Sequence, residues 1–236
     1  MTTPAQVGKP FVRLYRYFKT EHALSAIEHR ELRVSRIAEL NDPFEFSLVL
    51  IGPDGEPLPE EAVRSLLIKE VDDVVGLICM SGVETLREPL MWSHYTDAHK
   101  GIALGFDYVL GDSLVDIAYP EKRPHIKAAD FVSATDERKK AAIKTALTAK
   151  AKLWSYEYEK RVLVDLPRCR IQTGHYFTPI RDDFLKHVVL GVRCGVSTIF
   201  VDHLLKQSKF HDVRISKAEM SKTDFEMTIT DVRRGD

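Results

Sequence analysis

Cysteine is scarce in this chain of 236 residues, and long apolar runs are missing from it. The three cysteines, Cys79, Cys169 and Cys194, are far apart and form no C-x-x-C pair. This spacing argues against a disulfide framework and against a thiolate zinc site. No apolar run reaches the roughly 18 residues that a membrane-spanning helix needs, and residues 1–20 have no signal-peptide core. We therefore expect a soluble, cytoplasmic protein without a membrane partner.

The glycine-rich and nucleophile motifs of several large enzyme classes are also missing. The sequence contains no G-x-x-x-x-G-K-[ST], no G-x-G-x-x-G and no G-x-S-x-G. Their absence argues against a P-loop nucleotidase, a Rossmann dehydrogenase and an α/β-hydrolase. Hydrophobic residues make up 44% and charged residues 29% of the chain, which is the balance of a globular protein with a buried core.

A net charge of −1 conceals an uneven distribution of charge along the chain. Residues 1–118 carry 11 Lys and Arg against 19 Asp and Glu, whereas residues 119–236 carry 23 against 16. A basic C-terminal half fits the binding of an anion such as nucleic acid. The same split also fits two halves that intermingle in space and neutralise each other, so charge order alone leaves both interpretations open.

Strand and helix patterns follow one another irregularly along the chain. Aromatic and β-branched residues predict a strand over residues 11–18, and the apolar spacing predicts a helix over Glu21–Arg30 that Thr20 caps. Other predicted strands are 32–36, 76–81, 101–107, 156–166 and two near the C-terminus. Other predicted helices follow Pro59, begin at Pro89, and cover 134–153 and about 197–206. Because there is no regular βαβ order, we predict an α+β fold with a mixed, mostly antiparallel sheet and flanking helices. We expect residues 1–10 to be a flexible leader and residues 11–236 to form one domain.

The segment from Trp154 to Arg161 carries the most chemical information. On a strand, Glu157, Glu159 and Arg161 share one face, with successive side chains on that face about 6.5–7 Å apart. Two close carboxylates raise the pKa of one of them, while the arginine favours ionisation of the nearer one. Such a pair could bind a ribose hydroxyl or stabilise a cationic transition state. The alternative is a solvated strand face with an exposed ion pair.

Two aromatic residues on the helix after Pro89 could contact a flat ligand. Trp92 and Tyr95 are three residues apart, so on a helix they form one ridge. This ridge is either part of the core or a surface on which a flat ring stacks. The neighbouring histidines, His94 and His99, are five residues apart and do not match the spacing of a helical metal site, so we expect no metal.

The first strand and the loop after the second strand hold further candidates. Tyr15 and Tyr17 share one strand face and Arg16 lies on the other, where an arginine needs an anionic partner from the protein or from a ligand. The residues Asn41-Asp42-Pro43-Phe44-Glu45 predict an Asx-turn with a proline bend. Asp42 or Glu45 could alternatively lie at the mouth of a pocket.

Taken in order, the motifs of this chain resemble those of a widespread family of prokaryotic and phage-associated domains of unknown function. The matching segments are LYRYF, LRVSRIAELNDPFE, LMWSHYTDAHKGIALGFD, KAKLWSYEYEKRV and VVLGVRC. The resemblance covers residues 12–230, and NDPFE, MWSHY with HKG, and W-x-YE-x-E-x-R are its most specific parts. It does not imply an activity.

A more distant resemblance is to the ADP-ribosyltransferase fold, in which a glutamate on a late strand grips the nicotinamide ribose of NAD. This resemblance implies a split sheet, cleavage of NAD, and transfer of ADP-ribose to a protein or nucleic acid, in phage defence or as a toxin. It implies catalytic roles for Glu159, Glu157 and Arg161, and contacts to NAD from Tyr15, Arg16, Tyr17, Trp92 and Tyr95. The chain departs from the pattern because its first strand has no His-x-Thr and Ser81 stands in CMSG rather than in S-T-S.

Two other functions are compatible with the same residues. The first is a noncatalytic module that binds a nucleotide or nucleic acid through the basic segment Lys122–Arg161, with binding that weakens steeply in salt. The second is a metal-dependent nuclease that uses Glu157, Glu159, Asp42 and a lysine such as Lys150 or Lys152. The sequence specifies neither the acceptor nor the oligomeric state.

Overall fold

The computed structural model describes residues 11–109, 113–132 and 136–232, so the predicted leader lies outside the described residues. The strands are β1 (Phe11–Phe18), β2 (Glu31–Val34), β3 (Val49–Ile51), β4 (Val75–Ser81), β5 (Ile102–Val109), β6 (Leu114–Asp116), β7 (His125–Lys127), β8 (Glu159–Asp165), β9 (Arg170–Gln172), β10 (His175–Pro179), β11 (Leu185–Leu190), β12 (Arg214–Met220) and β13 (Met227–Asp231). The α-helices are α1 (Thr20–His29), α2 (Glu60–Val71), α3 (Pro89–Tyr95), α4 (Ala129–Val132), α5 (Asp136–Thr148) and α6 (Thr198–Gln207). Short 3-10 helices cover Ile37–Glu39, Val83–Arg87, Lys152–Glu157 and Leu166–Arg168.

These elements form an α+β fold with a mixed, mostly antiparallel sheet and flanking helices, which confirms the predicted fold class. The chain forms two compact units, each built from separate stretches of sequence. Unit 1 contains Met1–Glu31, Ser81–Leu114 and Pro179–Asp236, and unit 2 contains Leu32–Met80 and Val115–Thr178. The prediction of one domain stays a prediction.

Unit 1 is built around neighbouring strands in the order β13-β12-β11-β5-β1. The β1–β5, β5–β11 and β12–β13 pairs are antiparallel, and the β11–β12 pair is parallel. Apolar side chains from these strands pack with Trp92 of α3 into a buried cluster that includes Tyr15 and Met227. β5 is buried along most of its length, because it lies between β1 and β11 in the sheet.

Unit 2 combines several short sheets with two amphipathic helices. It contains the neighbouring strands β4, β8 and β6, the three-stranded order β2-β10-β9, and the parallel pair β3–β7. The inward faces of α2 and α5, with Leu67 and Ala146 at their centres, pack against Phe46, Leu48 and Leu50. The apolar spacing in the sequence after Pro59 produces the buried face of α2, and Pro59 directly precedes its first turn.

Most predicted elements are present with ends shifted by a few residues, but the N-cap of α1 and the end of the helix predicted over 134–153 differ from the prediction. Lys19 rather than Thr20 is the N-cap of α1, and the Thr20 hydroxyl donates to the Lys100 carbonyl at 2.8 Å instead. The helix predicted over 134–153 ends at Thr148, and residues 134–135 lie outside the described residues.

Candidate functional site

The residues that the sequence proposes as site residues divide between the two units. Glu157, Glu159 and Arg161 belong to unit 2, whereas Tyr15, Arg16, Tyr17, Trp92 and Tyr95 belong to unit 1.

The three predicted residues of unit 2 meet in a group of five charged side chains, which we call the Lys150 cluster (Glu45, Lys150, Glu157, Glu159 and Arg161). The Lys150 ammonium lies 3.3 Å from Glu45 Oε1, 2.5 Å from Glu157 Oε2 and 3.2 Å from Glu159 Oε2. Arg161 Nε donates to Glu159 Oε1 at 2.7 Å, and its Nη2 pairs with Glu45. The cluster therefore links all three carboxylates through two cations.

Every side chain of the Lys150 cluster is buried, with at most 4% of its surface exposed. The predicted alternative of a solvated strand face is therefore wrong. Burial alone would raise the pKa of Glu159, but the charge and hydrogen bonds of Arg161 and the charge of Lys150 lower it to about 2. The same attraction raises the pKa of Lys150 against the opposing effect of burial. Glu159, Lys150 and Arg161 are therefore charged near neutral pH.

The backbone reaches this arrangement differently from the predicted strand. Strand β8 begins at Glu159, and the preceding residues Lys152–Glu157 form a 3-10 helix. Tyr158 joins the two with a left-handed backbone conformation (φ 43°). The prediction that Glu157 lies on the strand is wrong, yet the carboxylates of Glu157 and Glu159 still converge because both contact Lys150.

Glu45 enters the cluster from the NDPFE segment. The Phe44 amide donates to Asp42 Oδ1 at 2.9 Å, which confirms the predicted Asx-turn. Glu45 follows this turn with 2% of its surface exposed, so it lies in the buried cluster rather than at a pocket mouth. A divalent ion bound by Glu157 and Glu159, as a nuclease would need, would have to displace the Lys150 ammonium.

A small pocket in unit 2 reaches Lys150 from the protein surface. The Phe44 pocket, as we call it, has a volume of about 190 Å³. Its walls come from Phe44, Ser47, Pro120, Glu121, Lys122, Arg123, Pro124, Ala149, Lys150 and Ala151. The Phe44 ring is 56% exposed, and the buried Arg123 Nε–H has no acceptor among the described residues.

In unit 1, the aromatic residues proposed for NAD binding occupy different environments. Trp92 is completely buried, and its indole N–H donates to the Leu86 carbonyl at 2.9 Å. The Tyr17 ring packs edge-on against Trp92, whereas Tyr95 is half-buried. The environment of Trp92 matches the core alternative, and its role as a stacking surface for a ligand stays a prediction. The Arg16 guanidinium lies 5.2 Å from the centre of the Phe18 ring.

Tyr15 borders a larger pocket in unit 1, with a volume of about 710 Å³. We call this the Tyr15 pocket; its walls come from Tyr15, Val83, Leu86, Arg87, His187, Arg214 and the stretch from Glu226 to Asp231. The Tyr15 hydroxyl lies 2.8 Å from His187 Nδ1, and His187 Nε2 lies 2.7 Å from the Ser216 hydroxyl. The Ser216 hydroxyl donates to Asp231 Oδ1 at 2.6 Å.

Sequence reasoning missed His187, Arg214, Ser216 and Asp231, and it considered Lys150 only for the nuclease. These residues are isolated in the sequence, and only the pairing of strands or the end of α5 brings them together. A polar residue in the apolar run LKHVVL was the one available signal for His187, because a buried histidine needs hydrogen-bond partners.

Within the residues that the structure describes, no group of His, Cys, Asp and Glu has the arrangement of a metal site. In the same part of the chain, no helix has the length and apolar character to cross a membrane. Comparisons of the chain with protein-family models, with curated proteins and with solved structures found no match.

Proposed function

We propose that unit 2 is a noncatalytic module that binds a nucleoside phosphate, either a free nucleotide or part of a nucleic acid, in the Phe44 pocket. The observation that carries this proposal is that two distant parts of the basic segment Lys122–Arg161 line one pocket beside an exposed aromatic ring. Residues 120–124 and 149–151 form its walls, and Phe44 lies among them.

An aromatic ring with adjacent cations is the combination that binds bases and phosphates without reading sequence. A base can stack on Phe44, while Lys122 and Arg123 supply positive charge for the phosphate. The buried Arg123 Nε–H is a donor that a phosphate oxygen could satisfy. Because a volume of about 190 Å³ is smaller than a typical pocket for a whole ligand, only one part of the nucleotide enters.

The Lys150 cluster holds one wall of this pocket in place. Lys150 is both a wall of the pocket and the cation that the three carboxylates hold in place. The part of the wall that Lys150 forms is therefore fixed before a ligand arrives, which lowers the entropy that binding costs. In this proposal Glu159 positions Lys150 and does not contact the ligand.

The proposal is tested by titrating the protein with AMP, with NAD and with an oligothymidylate of about twelve nucleotides. We expect affinity to fall steeply as salt rises from about 0.05 M to about 0.5 M. Preference for the oligonucleotide over AMP would identify nucleic acid as the source of the nucleoside phosphate, and the reverse would identify the free nucleotide.

Variants of the pocket provide the matched comparison. Phe44→Ala should weaken binding because stacking on one aromatic ring contributes about 1–3 kcal/mol per base. Lys122→Gln should weaken it because the phosphate loses a positive charge beside it. Lys140→Gln removes an exposed lysine of α5 that pairs with Glu137 and lies outside the pocket, so its affinity should match the wild type. Binding that ignores salt, or equal losses in all three variants, would contradict the proposal.

NAD cleavage is a second candidate, favoured by the convergence of Glu157 and Glu159 behind a wall of the same pocket. A cation-like transition state held by Glu159 would have to replace the Lys150 ammonium. Nicotinamide release from NAD, abolished in Glu159→Gln, would establish this activity. Absence of release with nucleotide binding retained in folded Glu159→Gln would favour the noncatalytic module.

A further inference from the structure

A row of polar side chains crosses the sheet of unit 1 beside the Tyr15 pocket. Tyr15 of β1 lies opposite Gly105 of β5, and Gly105 lies opposite His187 of β11. Further across the sheet, Ser216 of β12 lies opposite Asp231 of β13. Tyr15, His187 and Ser216 are each at most 1% exposed, so this row is a buried polar network rather than a solvated face.

Gly105 lets this network form, because Tyr15 and His187 meet across a strand that has no side chain at that position. A Cβ atom on Gly105 would lie 2.7 Å from Tyr15 Cε1 and 3.0 Å from His187 Cβ. Both distances are shorter than van der Waals contact between carbon atoms. Any other residue would therefore push the phenol away from the imidazole.

The hydrogen bonds of the network all run in one direction, toward Asp231. The Ser216 hydroxyl gives its proton to Asp231 Oδ1, so its oxygen accepts from His187 Nε2–H. His187 Nδ1 is then the acceptor for the Tyr15 hydroxyl. The direction of these bonds assigns His187 as the neutral imidazole with its proton on Nε2.

Arg214 lies at the pocket side of this network, where its guanidinium interacts with the Tyr15 hydroxyl and makes longer contacts to His187 and Asp231. Its Nη2 is 3.3 Å from His187 Nδ1, and its Nη1 is 3.7 Å from Asp231 Oδ2. Both exceed the 2.7–2.9 Å of a normal charge-assisted hydrogen bond. Its side chain is 51% exposed, so the guanidinium can approach an anion in the pocket more closely than it approaches either of these groups.

Arg87, the other arginine of the pocket, is bound in a different way. Its Nε and Nη2 donate to the Glu226 carboxylate at 3.1 and 2.6 Å. This bidentate pair satisfies the recognition fork of Arg87. The adjoining wall includes the apolar side chains of Leu86, Met227 and Ile229. The pocket thus presents the half-exposed guanidinium of Arg214 beside an apolar surface.

We propose that the Tyr15 pocket binds an organic oxyanion, a carboxylate, phosphate or sulfonate group on an apolar body, with the oxyanion on Arg214 and the body against Leu86, Met227 and Ile229. A volume of about 710 Å³ lies within the usual range for pockets that hold small organic ligands. This site is separate in residues and in ligand contacts from the Phe44 pocket, so the two proposals stand or fall independently.

Binding at Arg214 has a consequence for His187. The positive charge of Arg214 lies beside His187 Nδ1 and disfavours protonation of that nitrogen. An anion bound to Arg214 neutralises this charge and so removes its effect. Of the other groups around the imidazole, Tyr15 and Arg13 come from β1, Ser216 from β12 and Asp231 from β13, and none of them changes its formal charge on binding. Once protonated, Nδ1 donates to the Tyr15 oxygen, and the Tyr15 hydroxyl becomes free to donate to the ligand. Binding therefore raises the pKa of His187, while burial of the imidazole continues to lower it.

Benzenesulfonate is the probe, because it carries one negative charge throughout the useful pH range. Calorimetric titration of the full chain should show that benzenesulfonate binds at least about tenfold more tightly than sulfate, which lacks the apolar body, or benzyl alcohol, which lacks the charge. Arg214→Gln should weaken benzenesulfonate binding by about tenfold or more, and Arg214→Lys should fall between it and the wild type. Titrations at acidic pH in buffers of different ionisation enthalpy should show proton uptake that disappears in His187→Gln.

Arg181→Gln is the control, since it removes an exposed arginine of unit 1 that lies outside the pocket. Its affinity for benzenesulfonate should stay within about threefold of the wild type. The proposal is overturned if benzenesulfonate binds no better than both fragments, or if folded Arg214→Gln and Arg214→Lys bind it like the wild type. Loss of nucleotide binding in Phe44→Ala would leave this result untouched.

Discussion

Lys150 holds together three carboxylates that would otherwise repel one another in a buried space. Lys150→Met removes the cation but keeps the length of the side chain, and Arg161 then faces Glu45, Glu157 and Glu159 alone. Breaking a buried ion pair costs about 3–5 kcal/mol, because it leaves buried charge uncompensated. We expect urea denaturation followed by circular dichroism to show a loss of this size in the free energy of unfolding.

Lys152→Met is the matched control for this change. Lys152 is 61% exposed and pairs with Glu121 on the surface. A pair of this kind contributes about 0–1 kcal/mol, so the control should unfold close to the wild type. Similar losses in the two variants would show that the Lys150 cluster does not depend on its ammonium.

His187 makes the stability of the fold depend on pH. Burial and the charges of Arg214 and Arg13 lower the pKa of His187 to about 3, from about 6.5 in an unfolded chain. Between these values the unfolded chain binds one proton that the folded chain does not. The stability that the neutral imidazole of His187 contributes is therefore complete above a pH of about 6.5. It is lost as the pH falls, by up to about 1.4 kcal/mol per pH unit.

His187→Gln should make this pH dependence shallower. Urea unfolding at pH values from about 7.5 down to about 5 isolates the histidine from Glu159, whose low pKa acts only below about 4.5. His22→Gln, at an exposed position of α1, should leave the slope unchanged. Identical slopes for the wild type and His187→Gln would mean that folding does not lower the pKa of the imidazole.

At the residue scale, the sequence predicts which side chains belong to the site better than it predicts which other side chains they contact. The spacing of Glu157, Glu159 and Arg161 is enough to predict that they act together, because short-range geometry keeps them close in a strand or in a tight turn. Their partners Glu45 and Lys150 come from other parts of the chain. Which carboxylate meets Arg161 depends on tertiary packing, and one sequence contains no record of it.

At the scale of elements, strands with a clear apolar pattern could be predicted, and irregular joins could not. β1 matches its predicted bounds because most residues of Phe11–Phe18 are aromatic or β-branched types, which favour strands. The start of β8 was mispredicted because the alternating residues from Tyr156 onward fit a strand equally well. The left-handed Tyr158 (φ 43°) is held by the surrounding structure, since tyrosine has no intrinsic preference for that conformation.

At the scale of elements, Gly105 of β5 is a position where one added methyl group should destabilise the fold, because Tyr15 and His187 meet across it. In Gly105→Ala the new Cβ on β5 would lie 2.7 Å from Cε1 of the Tyr15 ring on β1. Overpacking of this kind costs about 1–3 kcal/mol of stability. Thermal unfolding should show the loss, and the imidazole NMR signals of His187 should shift as the phenol moves. Gly195→Ala is the control, because nothing lies within 4 Å of its Cβ; a smaller effect at Gly105 than at Gly195 would refute the argument.

At the scale of the whole molecule, the acidic and basic halves of the sequence do not correspond to acidic and basic units. Unit 2 joins residues 32–80, from the acidic half, with residues 115–178, mostly from the basic half. Ion pairs connect the two stretches, among them Glu45 with Arg161, Glu60 with Arg123 and Glu70 with Lys139. For unit 2, the interpretation that the halves intermingle is therefore the right one, and the proposed nucleotide binding depends on the Phe44 pocket rather than on overall charge.

Variants of the Glu60–Arg123 pair can separate the role of charge in stabilising unit 2 from its proposed role in binding a phosphate. Arg123 both pairs with Glu60 across the two stretches and lines the Phe44 pocket. Arg123→Glu alone places two carboxylates together and should lower the free energy of unfolding. Adding Glu60→Arg restores the attraction, less about 0.3–1 kcal/mol because Arg then occupies the first turn of α2.

Nucleotide binding should respond differently, because the pocket keeps a carboxylate in place of its guanidinium in both the single and the double variant. We therefore expect the double variant to unfold within about 1 kcal/mol of the wild type and yet to lose affinity for the oligothymidylate. Parallel urea denaturation and anisotropy titrations measure the two effects. A double variant that recovers affinity together with stability would show that Arg123 serves the fold alone, and that the phosphate is bound elsewhere.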